Sequence, residues 1–173
     1  MSSLLIRNGW VVDPASNFEA HADVLVREGL IAQLAPAGQI AGADEVFDAR
    51  NLVVAPGFVD LHVHLREPGQ SHKETIATGT AAAAAGGFTS LCCMPNTDPV
   101  NDLPAITRWM LQPERGAVVN VFPIAAATVA SAGERLTDFA ALRREGAVAV
   151  TDDGKPILHE GVMRDALSQA SLV

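Results

Sequence analysis

His62 and His64 stand one residue apart in the run "PGFVDLHVHLREPG", which extends from Pro56 to Gly69. Side chains two apart on a β-strand point the same way, so the imidazoles project side by side while Val63 faces away. Two neutral imidazoles on one face can form a metal site. The carboxyl ends of parallel strands are where α/β proteins bind ligands. A bare His-x-His also occurs as a hydrogen-bonded pair, so its neighbours carry weight. Arg66 follows two residues later. Its guanidinium can fork onto a carboxylate through two parallel hydrogen bonds, and beside a metal it could hold a substrate acid group. Pro68-Gly69 then forms a turn.

Two other strand ends carry polar groups. The run "FTSLCCMPN" (88–96) closes on Asn96, an amide donor and acceptor. The run "AVAVTDD" (147–153) closes on Asp152 and Asp153, followed by Gly154. A carboxylate there can supply a hard oxygen ligand or bridge two metals. Alternation lets only one of the pair face inward, and the pattern leaves open which. Asp98 and Asp102 are assigned to the following loop and helix start. His159 is read as a surface or capping residue at the last helix, and His21, in "FEAHAD", as a surface residue on a polar connection.

These residues need a scaffold of parallel strands. After Pro56, β-like runs 58–64, 88–96, 118–128 and 147–153 alternate with helical stretches 71–87, 102–112, 136–146 and 158–172. That alternation predicts parallel βαβ units, and near-continuous apolar strands fit a sheet covered by helices. Ser71 and Glu74 have the spacing of a capping box, the Ala-rich run favours helix, and Gly86-Gly87 should stop it. Leu136, Phe139 and Leu142 are expected along one helical stripe. Residues 1–55 read instead as strands and tight turns, with a hairpin at Glu28-Gly29. The expected division is therefore a small β unit, 1–55, and an α/β unit, 56–173. The latter holds four strand–helix units, whereas a closed (β/α)8 barrel takes about 250 residues.

The 173 residues are 49% hydrophobic, enough for a core, and carry 20 acidic against 12 basic side chains, a net charge of −8. The acidic excess argues against nucleic acid and anionic membranes as partners. Apolar runs are broken well short of a membrane span, and the N-terminus lacks a secretory pattern, so a cytoplasmic protein is expected. Cys92 and Cys93 are adjacent; on a strand they point to opposite faces and read as free thiols.

The blocks "PGFVDLHVHLREPG", "AAAAGGFTSLCCMPNT" and "AVTDDG" together resemble the dihydroorotases, specifically the bacterial class within the cyclic-amidohydrolase branch of the amidohydrolase superfamily. The resemblance implies an α/β fold of TIM-barrel type, a (β/α)8 barrel of which about the first four units are present, preceded by part of a small β-sandwich. It implies zinc-dependent, reversible ring opening of dihydroorotate to N-carbamoyl-aspartate in pyrimidine synthesis. His62 and His64 match zinc ligands, and Asp153 matches the position that bridges two zinc ions. His64, Arg66 and Asn96 match substrate-binding positions. The remaining zinc histidines and the proton-shuttling aspartate are expected beyond Val173, so no catalytic acid or base is assigned here and the chain alone is expected to be inactive. An open strand edge would invite a second copy of the chain. An allantoinase or hydantoinase is the alternative enzyme. An inactive scaffold for aspartate transcarbamoylase is the alternative outside catalysis, against which the intact His-x-His argues.

Overall fold

The computed structural model describes residues 2–172, which fall into two compact units, Met1–Pro56 and Gly57–Val173.

In the first unit, β1 (Ser3–Asp13), β2 (Phe18–Arg27), β3 (Leu30–Pro36), β4 (Glu45–Asp48) and β5 (Val53–Val54) form one mixed sheet in the order β3-β2-β1-β4, with β5 also on β1. β1, β2 and β3 are antiparallel neighbours, while β4 and β5 run parallel to β1. The β2–β3 hairpin turns at Glu28 and Gly29, both at positive φ (52° and 75°), the conformation a two-residue hairpin needs. Asn8-Gly9 does not reverse the chain; it is a register shift within β1. The stretch "FEAHAD" is strand rather than connection. His21 is exposed on β2 as expected, with its ring edge-on to Trp10 at 4.9 Å. Leu5, Leu25 and Ile40 form one apolar cluster, and Val11, Ala22 and Val24 another. Between them Asp23 is fully buried, its two oxygens accepting from the Asn8 and Gly38 amides. That pairing offsets the cost of removing a carboxylate from water.

The second unit alternates strictly: β6 (Phe58–Val63), α1 (Ile76–Ala85), β7 (Phe88–Cys93), α2 (Pro104–Met110), β8 (Asn120–Ala125), α3 (Phe139–Arg144), β9 (Ala149–Val150) and α4 (Glu160–Ala170). All four strands are parallel, in the order β6-β7-β8-β9. Leu65, Ile76, Leu91, Cys93 and Met110 pack into the first core cluster; Ala125, Leu142 and Ala147 form a second, and Ala127, Phe139 and Ala166 a third. Each large side chain so buried contributes about 1.5–3 kcal/mol.

Helix starts differ from the pattern-based expectation. Ser71 and Glu74 do not form a capping box. The N-cap of α1 is Thr75, reciprocally bonded with Thr78, because Glu67 reaches the helix from the preceding loop. Its carboxylate accepts from the Ile76 amide at 2.8 Å and from Ser71 Oγ at 3.1 Å. Leu136 is not on α3 either. It pairs across an isolated bridge with Thr128, and α3 begins after Asp138, whose carboxylate caps the Ala141 amide. Gly86 and Gly87 end α1 as expected. β9 is shorter than the run 147–153 because side-chain bonds replace the ladder beyond Thr151.

Candidate metal centre

The first strand delivers its histidines through a local irregularity. The His62 amide donates to Asp60 Oδ1 at 3.0 Å rather than to β7, and the β6–β7 register shifts between Asp60 and Val63. Pairing resumes where Met94 N–H meets the Val63 carbonyl at 2.8 Å. Val63 packs against the helix-side core, so His62 and His64 stand on the opposite face with ring centroids 5.4 Å apart. The chain then leaves the strand abruptly. Leu65 is buried, Arg66 takes φ 61°, and Glu67 is fixed by its bonds to the α1 start.

The fourth strand brings a carboxylate to the same place. His62 Nε2 lies 3.4 Å from Asp153 Oδ1, and His64 Nε2 lies 3.6 Å from Asp153 Oδ2. One donor atom from each of the three falls within 4.8 Å of the others. Asp152 turns the opposite way and is buried, accepting from the Thr128 amide at 2.9 Å and from Thr128 Oγ1. The choice that the sequence pattern left open between the two aspartates is thus a matter of facing: Asp153 meets the histidines and Asp152 does not.

Asn96 and Arg66 complete the surroundings. Asn96 Nδ2 donates to the Asp153 carbonyl at 2.7 Å, and the Asn96 carbonyl accepts from Gln70 Nε2 at 3.3 Å. Loops after the first, second and fourth strands are therefore tied in series. Their close approach depends on Gly69, since a Cβ there would lie 1.9 Å from the Asp98 carbonyl oxygen. Arg66 is half-buried and, among the described residues, its guanidinium makes no hydrogen bond or ion pair. His159 is away from this group; it caps α4, its Nδ1 accepting from the Val162 amide. Asp98 is exposed in its loop, and Asp102 accepts from the Ala130 amide.

The electrostatics suit a cation. Burial is the main cause that lowers the His64 pKa; the Arg66 charge and His62 act in the same direction, against Asp153. The neutral imidazole is thereby favoured, and that is the form that ligates a metal. Two imidazole nitrogens and a carboxylate are also the donor types of zinc sites with ligand bonds of about 2.0–2.2 Å. Ligands sharing such an ion stand somewhat over 3 Å apart, close to the separations found, so the three residues fit a metal ion. A cavity of about 530 Å³ opens on the Asp153 side, bounded by the Asp152–Ile157 loop and by Met163, Ala166 and Leu167 of α4.

The Dihydro-orotase-like family model matches residues 51–173, the span that holds every one of these groups. The chain belongs to the dihydroorotase-like family. Among curated relatives of this dihydroorotase-like chain, the dihydroorotase of Solibacter usitatus is 55% identical over 168 residues, covering 96% of the chain and 39% of the relative. The dihydroorotase of Geotalea daltonii is 47% identical over 169 residues, covering 97% and 40%. The chain thus spans about two fifths of the length of the curated relatives it matches. Among solved structures, the L-hydantoinase (dihydropyrimidinase) from Arthrobacter aurescens superimposes with a TM-score of 0.80 at 19% identity, covering 99% of this chain and 39% of that one. The dihydropyrimidinase from Brevibacillus agri gives 0.56 at 30% identity, covering 73% and 28%. The fold is accordingly that of the opening segment of an amidohydrolase (β/α)8 barrel.

Thr128 was not singled out from sequence, although it ends the run 118–128. The usable signal was positional. If one of two adjacent aspartates faces the strand-end pocket, the other must find donors on the opposite side.

Proposed function

We propose that the complete protein is a zinc-dependent dihydroorotase acting in the cytoplasm in pyrimidine synthesis. It would interconvert (S)-dihydroorotate and N-carbamoyl-L-aspartate by hydrolysis and closure of the cyclic amide. The observation that carries this reading is the convergence of His62, His64 and Asp153 beside Arg66, whose guanidinium has no partner among the described residues. In this reading His62, His64 and Asp153 would hold zinc. Zinc, when bound, lowers the pKa of water toward about 7 and polarises an amide carbonyl, making a poor nucleophile and a poor electrophile reactive at neutral pH.

The chain's own residues bind and orient. Dihydroorotate carries a carboxylate, and a stretch of 173 residues with net charge −8 repels anions unless a local cation receives them. Arg66, held beside His64 and without a partner among the described residues, offers that cation with the fork geometry a carboxylate matches. Asn96 borders the same loop, so the acid group sits next to the donors that hold the metal. Binding the anion there sets the ring amide at attack distance. Free Cys92 and Cys93 fit a reducing compartment, and no described helix is long and apolar enough to cross a membrane.

The likeness to hydantoinase structures favours a second reading, a hydantoinase or allantoinase acting on an uncharged ring. The Arg66 guanidinium beside the three donors argues for the acidic substrate. Purified complete protein assayed on dihydroorotate, hydantoin and allantoin separates the two. Turnover of dihydroorotate is expected; turnover of only the uncharged rings would overturn the reading.

A further inference from the structure

We infer that Asp152 is a positioning residue, and that its clamp on Thr128 sets the Asp153 carboxylate against the His62–His64 pair. The inference rests on the zinc reading above and concerns a residue which that reading leaves without a role.

The ladder between β8 and β9 runs out just before the site. Thr151 N–H reaches the Ala125 carbonyl at 2.9 Å, and Ala127 N–H reaches the Thr151 carbonyl at 3.3 Å. At the next step no backbone pair forms among the described residues. The Asp152 side chain substitutes for it: Oδ1 takes the Thr128 amide at 2.9 Å, and Oδ2 takes the Thr128 hydroxyl. Both donors come from one residue, which fixes the orientation of the carboxylate as well as its place. Thr128 is itself immobilised. It is fully buried, and its Oγ1 accepts from the Gly133 amide at 2.8 Å.

Asp153 follows as the second residue of the turn that the Lys155 amide closes on the Asp152 carbonyl. Locking Asp152 against Thr128 fixes the start of that turn, from which Asp153 faces the histidines. The opposite end of the same segment is held as well, by Asn96 Nδ2 on the Asp153 carbonyl at 2.7 Å and by the Lys155 amide on the Asp152 carbonyl at 2.8 Å. Asp153 thus stands on a backbone pinned from both sides, so little ordering remains to oppose binding.

The chemistry requires a carboxylate at 152. The Thr128 oxygen already accepts from Gly133, so its own proton needs an acceptor, which Oδ2 supplies. An asparagine offers one oxygen for two donors: placed on the hydroxyl it turns an N–H against the Thr128 amide, and placed on the amide it leaves the hydroxyl proton without its acceptor. A buried group is then left without a partner.

The test compares zinc affinity, by competition with a chromogenic chelator, in the complete protein and in its D152N, T128V and T128S variants. Melting temperature and circular dichroism establish that each is folded. D152N and T128V are expected to bind zinc about 10- to 100-fold more weakly, the range found for residues that orient metal ligands. T128S, which retains both donors, is expected to stay within about threefold. Should D152N fail to fold, T128V carries the same test with the carboxylate in place. Folded variants that bind zinc as tightly as the unaltered protein overturn the clamp and leave the zinc reading standing, even if their melting temperatures fall. Absence of zinc binding by the unaltered protein removes the zinc reading, and the clamp with it.

Discussion

The Asp153 carboxylate stands 3.6 Å from His64 Nε2, although one residue follows the last strand of the parallel sheet and the other follows the first. Nothing local joins them. They meet because β6, β7, β8 and β9 run in the same direction and deliver their carboxyl ends to one rim.

Arg66 is the residue on which substrate choice turns in this account. Replacing it with alanine in the complete protein removes a charged hydrogen-bond partner worth about 1.5–3 kcal/mol, or roughly 10- to 150-fold in kcat/KM for dihydroorotate. The loss should appear mainly as a higher KM. Lysine should restore only part of it, since an ammonium lacks the paired donors. Steady-state kinetics check this, and an unchanged KM in both variants would remove Arg66 from substrate binding.

Gly69 is where the loops after the first two strands touch. Its φ is +88°, and an added Cβ would lie 1.9 Å from the Asp98 carbonyl oxygen. Gly69→Ala is therefore expected to cost about 2–4 kcal/mol through combined strain and overlap. Urea unfolding monitored by circular dichroism gives the value. A variant within 0.5 kcal/mol of the unaltered protein, roughly the spread of ordinary surface changes, would contradict the packing described.

Much of this arrangement was legible in the residues themselves. Strand periodicity shows that His62 and His64 share a face, and the alternation of β-like and helical runs shows parallel strands. What escaped the pattern depended on partners distant in sequence. Ser71 and Glu74 have capping spacing, yet Glu67 and Thr75 cap α1 because the loop from β6 folds back onto the helix. Leu136 keeps the spacing of a helical stripe, yet its bridge to Thr128 holds it outside α3. The facing of Asp152 and Asp153 could not be read from two identical side chains; the buried donors of Thr128 decide it.

The thiols give a pH dependence with a defined sign. Burial pushes Cys93 from 9.0 up to about 12, and burial, with a smaller effect from Asp60, raises Cys92. Well below pH 9 the Cys93 thiol is protonated whether the chain is folded or not, and it adds no slope. Between about 9 and 12 the unfolded chain releases this proton while the folded chain retains it, so stability falls as pH rises. The limiting slope is about 1.4 kcal/mol per pH unit for this one group. Urea unfolding from pH 8.5 to 10.5 should show a flatter decline in Cys93→Ala than in the unaltered protein. Equal slopes would contradict the burial of this thiol.

The central claim is that His62, His64 and Asp153 share a metal ion. Anomalous diffraction at the zinc edge, on crystals of the complete protein grown with zinc, addresses it directly. A peak is expected within about 2.3 Å of His62 Nε2, His64 Nε2 and an Asp153 carboxylate oxygen. Bound zinc elsewhere in the molecule, with these three side chains lacking a peak between them, would contradict it.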